Sequence, residues 1–272
     1  GQLNTIFPIL YAVYDWNEKS AILGGTTHHF GDKFARAYDI QFLDRDGTHK
    51  YAWQTSWGVS TRLIGALIMA HGDARGLILP PAVAPVQAIV LPIAIHKAGV
   101  EEAARSVIDR LVAAGVRCEG DFSDQTPGWK FNEWEMKGVP LRLEIGPRDI
   151  ENGVVTVVRR DNGEKSVVKN EELEGVIKRL LSDVHESMYR KAEAFRDSRI
   201  KEAHTLDELK KYLDEGNFVK AMWCGSQECE LKVKELMQAT IRIMPFDQTP
   251  IDDKCIADGS PAKKLVIFAR AY

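Results

Sequence analysis

Pro80, Pro81 and Pro85, crowded into the stretch LPPAVAP, constrain this chain most. Each fixes its own φ and lacks a backbone donor, so neither a helix nor a central strand runs through them. The stretch reads as a stiff connection at a domain boundary, and the patterns on its two sides differ. Before it, YDIQFLD and KYAWQTS alternate in polarity and are separated by RDGTH, whose Asp46-Gly47 pair is a hairpin signal. That predicts antiparallel sheet. A run without charge, Leu63 to Ala70, then predicts a helix buried on all sides. After the prolines comes strand VQAIVLPI, then helix EEAARSVIDRLVAAG with Ala104, Val107, Ile108, Leu111 and Val112 on one face and Gly115 as its stop. Strands PLRLEIG and VVTVVRR follow, which predicts an α/β layer with a mainly parallel sheet. Leu173, Val176, Ile177, Leu180, Leu181, Val184 and Met188 lie at helical spacing in a long helix from about Glu171 through the 190s, expected to bridge two domains. From about Ala203 a further helix, a paired-cysteine turn and the strand KKLVIFARAY complete a small α/β segment. The expected division is 1–85, 86–180 and 181–272.

At 272 residues and 44% hydrophobic content, the chain can bury the cores such a division needs. A net charge of -3 gives no bulk attraction to nucleic acid or acidic membranes, so any RNA contact must rest on local basic groups. Apolar runs such as Ile89 to Ile95 fall short of the roughly 20 residues of a membrane span. The first residues, GQLNTIFPILYAVYDW, have neither a basic leader nor a small-residue cleavage signature, and the expectation is a cytoplasmic protein without a membrane partner. The missing initial methionine suggests a piece of something longer. Cys118, Cys224, Cys229 and Cys255 are too few and too scattered for a disulfide framework.

Arg62 opens the charge-free helix, at the end where unpaired backbone N–H groups already favour anions. A bound anion would explain the arginine. An internal salt bridge to Asp39, Asp44 or Asp46 is the alternative.

Four features in order, GGTTHHFGDKFARAYDI, QTSWGVSTRLIGALIMAHGDARGLILPPAVAP, PGWKFNEWEMKGVPLRLEIGPRD and a chain ending in Tyr272, closely resemble the C-terminal part of prolyl-tRNA synthetase, in its archaeal and eukaryotic-like form. The resemblance runs from Gly24 to Tyr272. It implies the end of a class II antiparallel-sheet catalytic domain carrying motif 3, an α/β anticodon-binding domain and a small α/β C-terminal domain. It further implies ATP-dependent ligation of proline to tRNA(Pro) through a prolyl-adenylate, with ATP and magnesium as cofactors, and a homodimer in the complete enzyme. Motifs 1 and 2 are not recognisable in residues 1–23, so this chain alone is expected not to activate proline. A non-catalytic tRNA(Pro)-binding module is the alternative.

The resemblance also implies residue roles. Adenylate formation needs two anions aligned and phosphate charge neutralised rather than a side-chain nucleophile. Arg62 matches the motif 3 arginine that holds ATP, a role suited to a planar fork that can stack and bond phosphate at once. Gln54 and Ser60 complete the nucleotide contacts. Thr26, His28, Ser56, Trp57 and Gly58 would line the proline pocket, with Trp57 as a flat apolar wall. Leu23 stands where the family usually has an ATP-contacting glutamine. Phe131, Glu135, Arg142 and Arg148 match anticodon-reading positions, where an arginine fork suits guanine O6 and N7 and an aromatic ring suits an unstacked base. Lys130 and Lys165 could add phosphate contacts. On residues alone, LRLEIG reads rather as a core strand with outward, solvated charges.

CGSQEC and DKCIADG place Cys224, Cys229 and Cys255 where the family can carry a four-cysteine zinc site, with Asp258 at the fourth position. Three thiolates and a carboxylate are an acceptable zinc set, in a structural role. The longer loop between Cys224 and Cys229, and a core that can form without a metal clip, tip the expectation toward an unmetallated site.

Overall fold

The computed structural model describes residues 12–15, 20–23 and 25–270, those before His29 by their backbone alone. In chain order the elements are β1 Ala12–Asp15, β2 Ser20–Leu23, β3 Gly25–Gly31, α1 Lys33–Ala37, β4 Gln41–Leu43, β5 His49–Tyr51, β6 Gln54–Val59, α2 Arg62–His71, β7 Ala88–Pro92, α3 Val100–Ala113, β8 Cys118–Gly120 and α4 Pro127–Met136. There follow β9 Leu141–Ile145, α5 Pro147–Glu151, β10 Val154–Arg159, β11 Lys165–Lys169, α6 Leu173–Ser198, β12 Ile200–Glu202, α7 Leu206–Asp214, β13 Phe218–Trp223, α8 Gln227–Met237, β14 Ala239–Ile243 and β15 Lys264–Arg270. The chain divides into two compact units, His71–Phe195 and a second made of Gly1–Ala70 with Arg196–Tyr272.

The His71–Phe195 unit is built on a five-stranded sheet in the order β11-β10-β9-β7-β8. β7 is parallel to both neighbours, β8 and β9, because α3 and α4 return the chain between these strands; β9, β10 and β11 run antiparallel. The sheet is therefore mixed rather than mainly parallel, since VVTVVRR and the strand after it close a hairpin instead of a crossover. β7, AIVLP, is buried along its whole length, as a central strand covered on both faces must be. Ala88, Val90, Leu141, Leu143, Val155 and Val157 face α3 and α6 in the main core. Val100, Ala104, Val107 and Leu111 form the buried stripe of α3, each of the larger ones contributing about 1.5–3 kcal/mol. Val112, expected on that face, is exposed: it sits one helical step, roughly 100°, past Leu111. α6 buries Leu173, Ile177, Leu181, Val184 and Met188, as its spacing predicts.

The other face of the sheet is only partly covered. Ile89, Leu91 and Val139 pack there with Phe131 and Trp134 of α4. At the sheet edge β11 is the open strand, with Val167 66% exposed. LPPAVAP is not loose: Arg117 donates to the carbonyls of Pro81 and Ala84 and pins the turn against this unit.

In the other unit, a four-stranded sheet of order β12-β13-β15-β14 carries α7 and α8 on one face. Thr205 starts α7 with a capping box, its hydroxyl accepting from Glu208 N while the Glu208 carboxylate accepts from Thr205 N. Leu209, Leu213, Val233, Met237, Val219, Ala221 and Phe268 form the core, which also encloses Cys229 and Cys255. The same unit holds three antiparallel pairs, β1 with β2, β3 with β6 and β4 with β5. Gly47 turns the β4–β5 hairpin at φ 78°, where the Asp-Gly pair predicts it. α2 departs from expectation. Only Ala66 is buried, and Leu63, Ile64 and Ile68 are exposed, because no described element packs around the rest of the helix. Absence of charge marked it as a helix but could not say what would cover it.

Candidate functional site

The residues singled out by sequence fall into three places. The first is the β3–β6 pair and the start of α2. Thr26 pairs with Gly58 and His28 with Ser56, which puts these four at register positions on one face; Trp57, paired with Thr27, belongs to the other. Trp57 is 78% exposed. Gln54 is half-buried at the start of β6. The Ser60 hydroxyl accepts from the Arg62 backbone N–H, capping α2, and the Arg62 side chain is exposed. Asp44 and Asp46 both pair with Lys50, while Asp39 accepts from Gln41 and Tyr51. The internal salt bridge offered as the alternative for Arg62 is thus not formed among the described residues. The backbone of Leu23 lies in β2, and Tyr272 is outside the described residues.

The second place is the edge of α4 over β9. Thr126 caps α4 through Trp129 N, and Pro127 occupies its first turn, where a missing donor costs nothing. Phe131 and Glu135, four residues apart, share one face. Lys130 is buried on another, donating to the Asp121 carbonyl at 2.9 Å with the Asp121 carboxylate 3.6 Å away, and Trp134 Nε1 donates to the same carboxylate at 2.8 Å. Lys130 therefore bolts α4 to the loop after β8, and the phosphate contact expected of it is overturned by its burial. From β9, Arg142 lays its guanidinium 4.2 Å from the centre of the Phe131 ring. Its Nε and Nη2 both reach Glu144 Oε1 at 3.1 Å, and its Nη1 lies 3.9 Å from Glu135. Arg75 donates to Glu135 at 3.3 Å and Lys165 to Glu144 Oε2 at 2.9 Å. A small cleft of about 10 Å³ is lined by Trp134, Glu135, Val139, Arg142, Val158 and Arg160.

Arg148 is not part of this cluster. It is exposed on α5, past the far end of β9. Four members were not foreseen: Glu144, Arg75, and the pair Arg160–Asp73 beneath them. Arg160 is buried, donates to both carboxylate oxygens of Asp73 at 2.9 and 2.7 Å, and holds the Glu135 carbonyl with Nε. These hydrogen bonds hold the Asp73 carboxyl well below the usual carboxylate range. The one sequence signal for Glu144 was its two-residue spacing from Arg142, which puts both on one strand face. The charges of LRLEIG are consequently not solvated; they meet α4. A stacked cation held at Nε by one carboxylate and only loosely approached at Nη1 by a second, beside an aromatic ring, can bond the edge of a flat heterocycle.

The third place gathers Cys224 after β13, Cys229 in the first turn of α8, and Cys255 and Asp258 in the loop before β15. Their ligand atoms all lie within 4.8 Å of one another, and the Cys224 and Cys229 sulfurs are 3.5 Å apart. Zinc–sulfur bonds of about 2.3 Å in a tetrahedron need sulfurs about 3.8 Å apart, so the donor set fits. Burial pushes the Cys229 and Cys255 thiols up, while the hydroxyl and amide of Ser260 hold Asp258 well below the usual carboxylate range. Gathering three sulfurs in one core is costly for thiolates without a cation.

Comparison with known proteins accounts for two of these places. Residues 87–180 match the profile of an anticodon binding domain, and residues 206–272 that of the C-terminal domain of prolyl-tRNA synthetase. A proline–tRNA ligase of Oceanobacillus iheyensis is 48% identical over 94% of this chain and 53% of its own length. Those of Clostridium novyi and Ruminiclostridium cellulolyticum are 50% and 49% identical, again over 94% of this chain and 54% of theirs. The chain thus spans about half the length of the curated relatives it matches. Both profiles and these relatives agree with the reading drawn from the motifs: the chain belongs to the prolyl-tRNA synthetase family, in which it corresponds to the anticodon-binding and C-terminal region.

Proposed function

We propose that this chain supplies the nucleotide-holding helix, the anticodon reader and the C-terminal domain of an enzyme that ligates proline to tRNA(Pro). The observation that carries the reading is the Phe131–Arg142–Glu135 cluster, at the mouth of a cleft inside the segment that matches an anticodon-binding domain. Phe131 and the guanidinium plane offer stacking surfaces for an unpaired base, Arg142 donates to guanine O6 and N7, and Glu135 accepts from its N1 and N2. Arg148 and Lys165 reach flanking nucleotides.

In the complete enzyme, ATP with magnesium and proline meet on the β3–β6 and α2 surface. Arg62 neutralises the nucleotide phosphates, and Gln54 and Ser60 position the nucleotide. Thr26, His28, Ser56 and Gly58, which share one face of the β3–β6 pair, line the amino-acid pocket, and the flat apolar wall expected of Trp57 falls on the opposite face. The exposed and unpaired state of Arg62 among the described residues supports this role. The domain partition proposed is 1–85, 86–180 and 181–272, in a cytoplasmic homodimer. Cys224, Cys229, Cys255 and Asp258 hold a structural zinc; four protein donors leave no open position for a reactive water. The gathered thiols weigh against the unmetallated site expected from the sequence.

Proline-dependent ATP–pyrophosphate exchange tests the reading, run on this chain and on the full gene product. Activity in the longer protein and none in the chain supports it. No exchange in either, with retained binding of tRNA(Pro), would favour a non-catalytic tRNA-binding module, a second reading prompted by the half-length match to the relatives.

A further inference from the structure

We infer that Glu144 is a positioning residue for base readout: it clamps the Arg142 guanidinium side-on through Nε, which leaves the Nη end of the fork to meet a base. The inference rests on the anticodon-reading assignment of this sheet face. An arginine side chain has four torsions and, unheld, sweeps a wide arc; holding it in one orientation moves the entropy cost from binding to folding. Glu144 does this through Oε1, which accepts from Nε of Arg142 at 3.1 Å and forms an ion pair with Nη2 at the same distance. Its second oxygen accepts from Lys165 at 2.9 Å, so the carboxylate carries two cations. Phe131 limits the remaining freedom by lying against the guanidinium plane.

Stability alone does not explain this arrangement. Glu144 is 9% exposed in the middle of a sheet, and its strand partner across the ladder is Thr156. A buried ion pair of this kind is on average no more stabilising than an apolar pair of the same volume, so its presence calls for another role. Orientation supplies one. With Nε–H used on Glu144 and Nη2 held beside the same oxygen, the hydrogens at the Nη end are those that suit guanine O6 and N7. The approach of Glu135 to Nη1, at 3.9 Å, is loose enough for a base to replace it. Lys165 balances the Glu144 charge and so spares an incoming nucleotide a bare carboxylate.

The test uses the 272-residue chain and two synthetic RNA hairpins whose loops carry adjacent guanines or, at the same positions, 7-deazaguanines lacking N7. The wild-type chain is expected to prefer guanine by about tenfold, as a good bidentate contact provides. Glu144→Ala should reduce that preference to less than about twofold without weakening the 7-deazaguanine complex. Glu144→Gln, which keeps an acceptor for Nε, should restore an intermediate preference. A purely structural role would weaken both complexes alike and leave their ratio at the wild-type value. That result, or an unchanged ratio at unchanged affinity, overturns the inference while leaving the anticodon reading intact. A wild-type chain that does not distinguish the two loops refutes the anticodon reading, and the role of Glu144 with it. Thermal unfolding of each variant confirms that the ratios come from folded protein.

Discussion

Replacing Asp73 by alanine strands a charge inside the His71–Phe195 unit. The Arg160 side chain is 2% exposed, and both of its Nη groups are spent on Asp73. Removing one partner of a buried pair costs about 3–5 kcal/mol, because the survivor keeps its charge without compensation. Asp73 is 34% exposed, so water can reach the vacated side, which puts the cost at the low end, about 3 kcal/mol. In a unit of this size that lowers the melting temperature by roughly 10 °C. Urea and thermal unfolding of the 272-residue chain, followed by circular dichroism, measures it for Asp73→Ala, Arg160→Met and the double variant. The double variant should be more stable than Asp73→Ala, since the stranded charge is gone. A cost below about 1 kcal/mol for Asp73→Ala, or a double variant weaker than either single one, refutes the reasoning. The pH dependence has a defined sign. Arg160, chiefly by hydrogen bonding, depresses the folded pKa of Asp73, so its stabilisation is fully present above the unfolded carboxylate value of about 4 and is lost as pH falls through the folded value. The gap between wild type and Asp73→Ala should stay constant near neutrality and narrow only below about pH 4.

Arg142→Ala should cost about 1–3 kcal/mol in discrimination between guanine-containing and other anticodon loops, read by competition binding, with proline activation in the full-length enzyme unchanged; equal loss with every RNA would make it a general phosphate contact. In the same full-length enzyme, Arg62→Ala should abolish pyrophosphate exchange and leave the melting curve unmoved, because the exposed side chain contributes little to packing. Gly76→Ala should destabilise by about 2 kcal/mol or more in denaturant titration: φ is 129° and an added Cβ would lie 2.5 Å from Met136 Cα, so strain and a backbone clash add. Chain purified without chelator should carry one zinc by elemental analysis and lose it on Cys229→Ser; metal-free wild type would return the cysteine cluster to the unmetallated reading.

Much of the fold was legible because it rests on local signals. The α3 stripe, the Gly115 stop, the long repeat of α6 and the Asp46-Gly47 hairpin follow from periodicity and turn chemistry. Strand direction was not. Whether β9 and β10 run parallel depends on whether a helix of full length separates them, and α5, with five residues, is too short to return the chain across the sheet. The cover over α2 was equally out of reach. A run of apolar residues records that something apolar is near, and its neighbour can lie anywhere in sequence.

The candidate site divides along the same line. Phe131 and Glu135 share a helix face, and Arg142 and Glu144 share a strand face; each pair is local and can be read from spacing. Their meeting is tertiary, fixed by Lys130 and Trp134 on Asp121 at one end of α4 and by Arg160 on the Glu135 carbonyl at the other. Neither anchor has a sequence signal, since a lysine inside PGWKFNEWEM looks like a solvated cation until α4 is packed. Residue type was therefore a poor guide to which charges are free to bind. Lys130 is spent on the fold, while Arg142, on a strand that reads as core, lines the cleft with its Nη1 3.9 Å from Glu135. The proposed base readout lies less in having an arginine than in having one already held at Nε by Glu144.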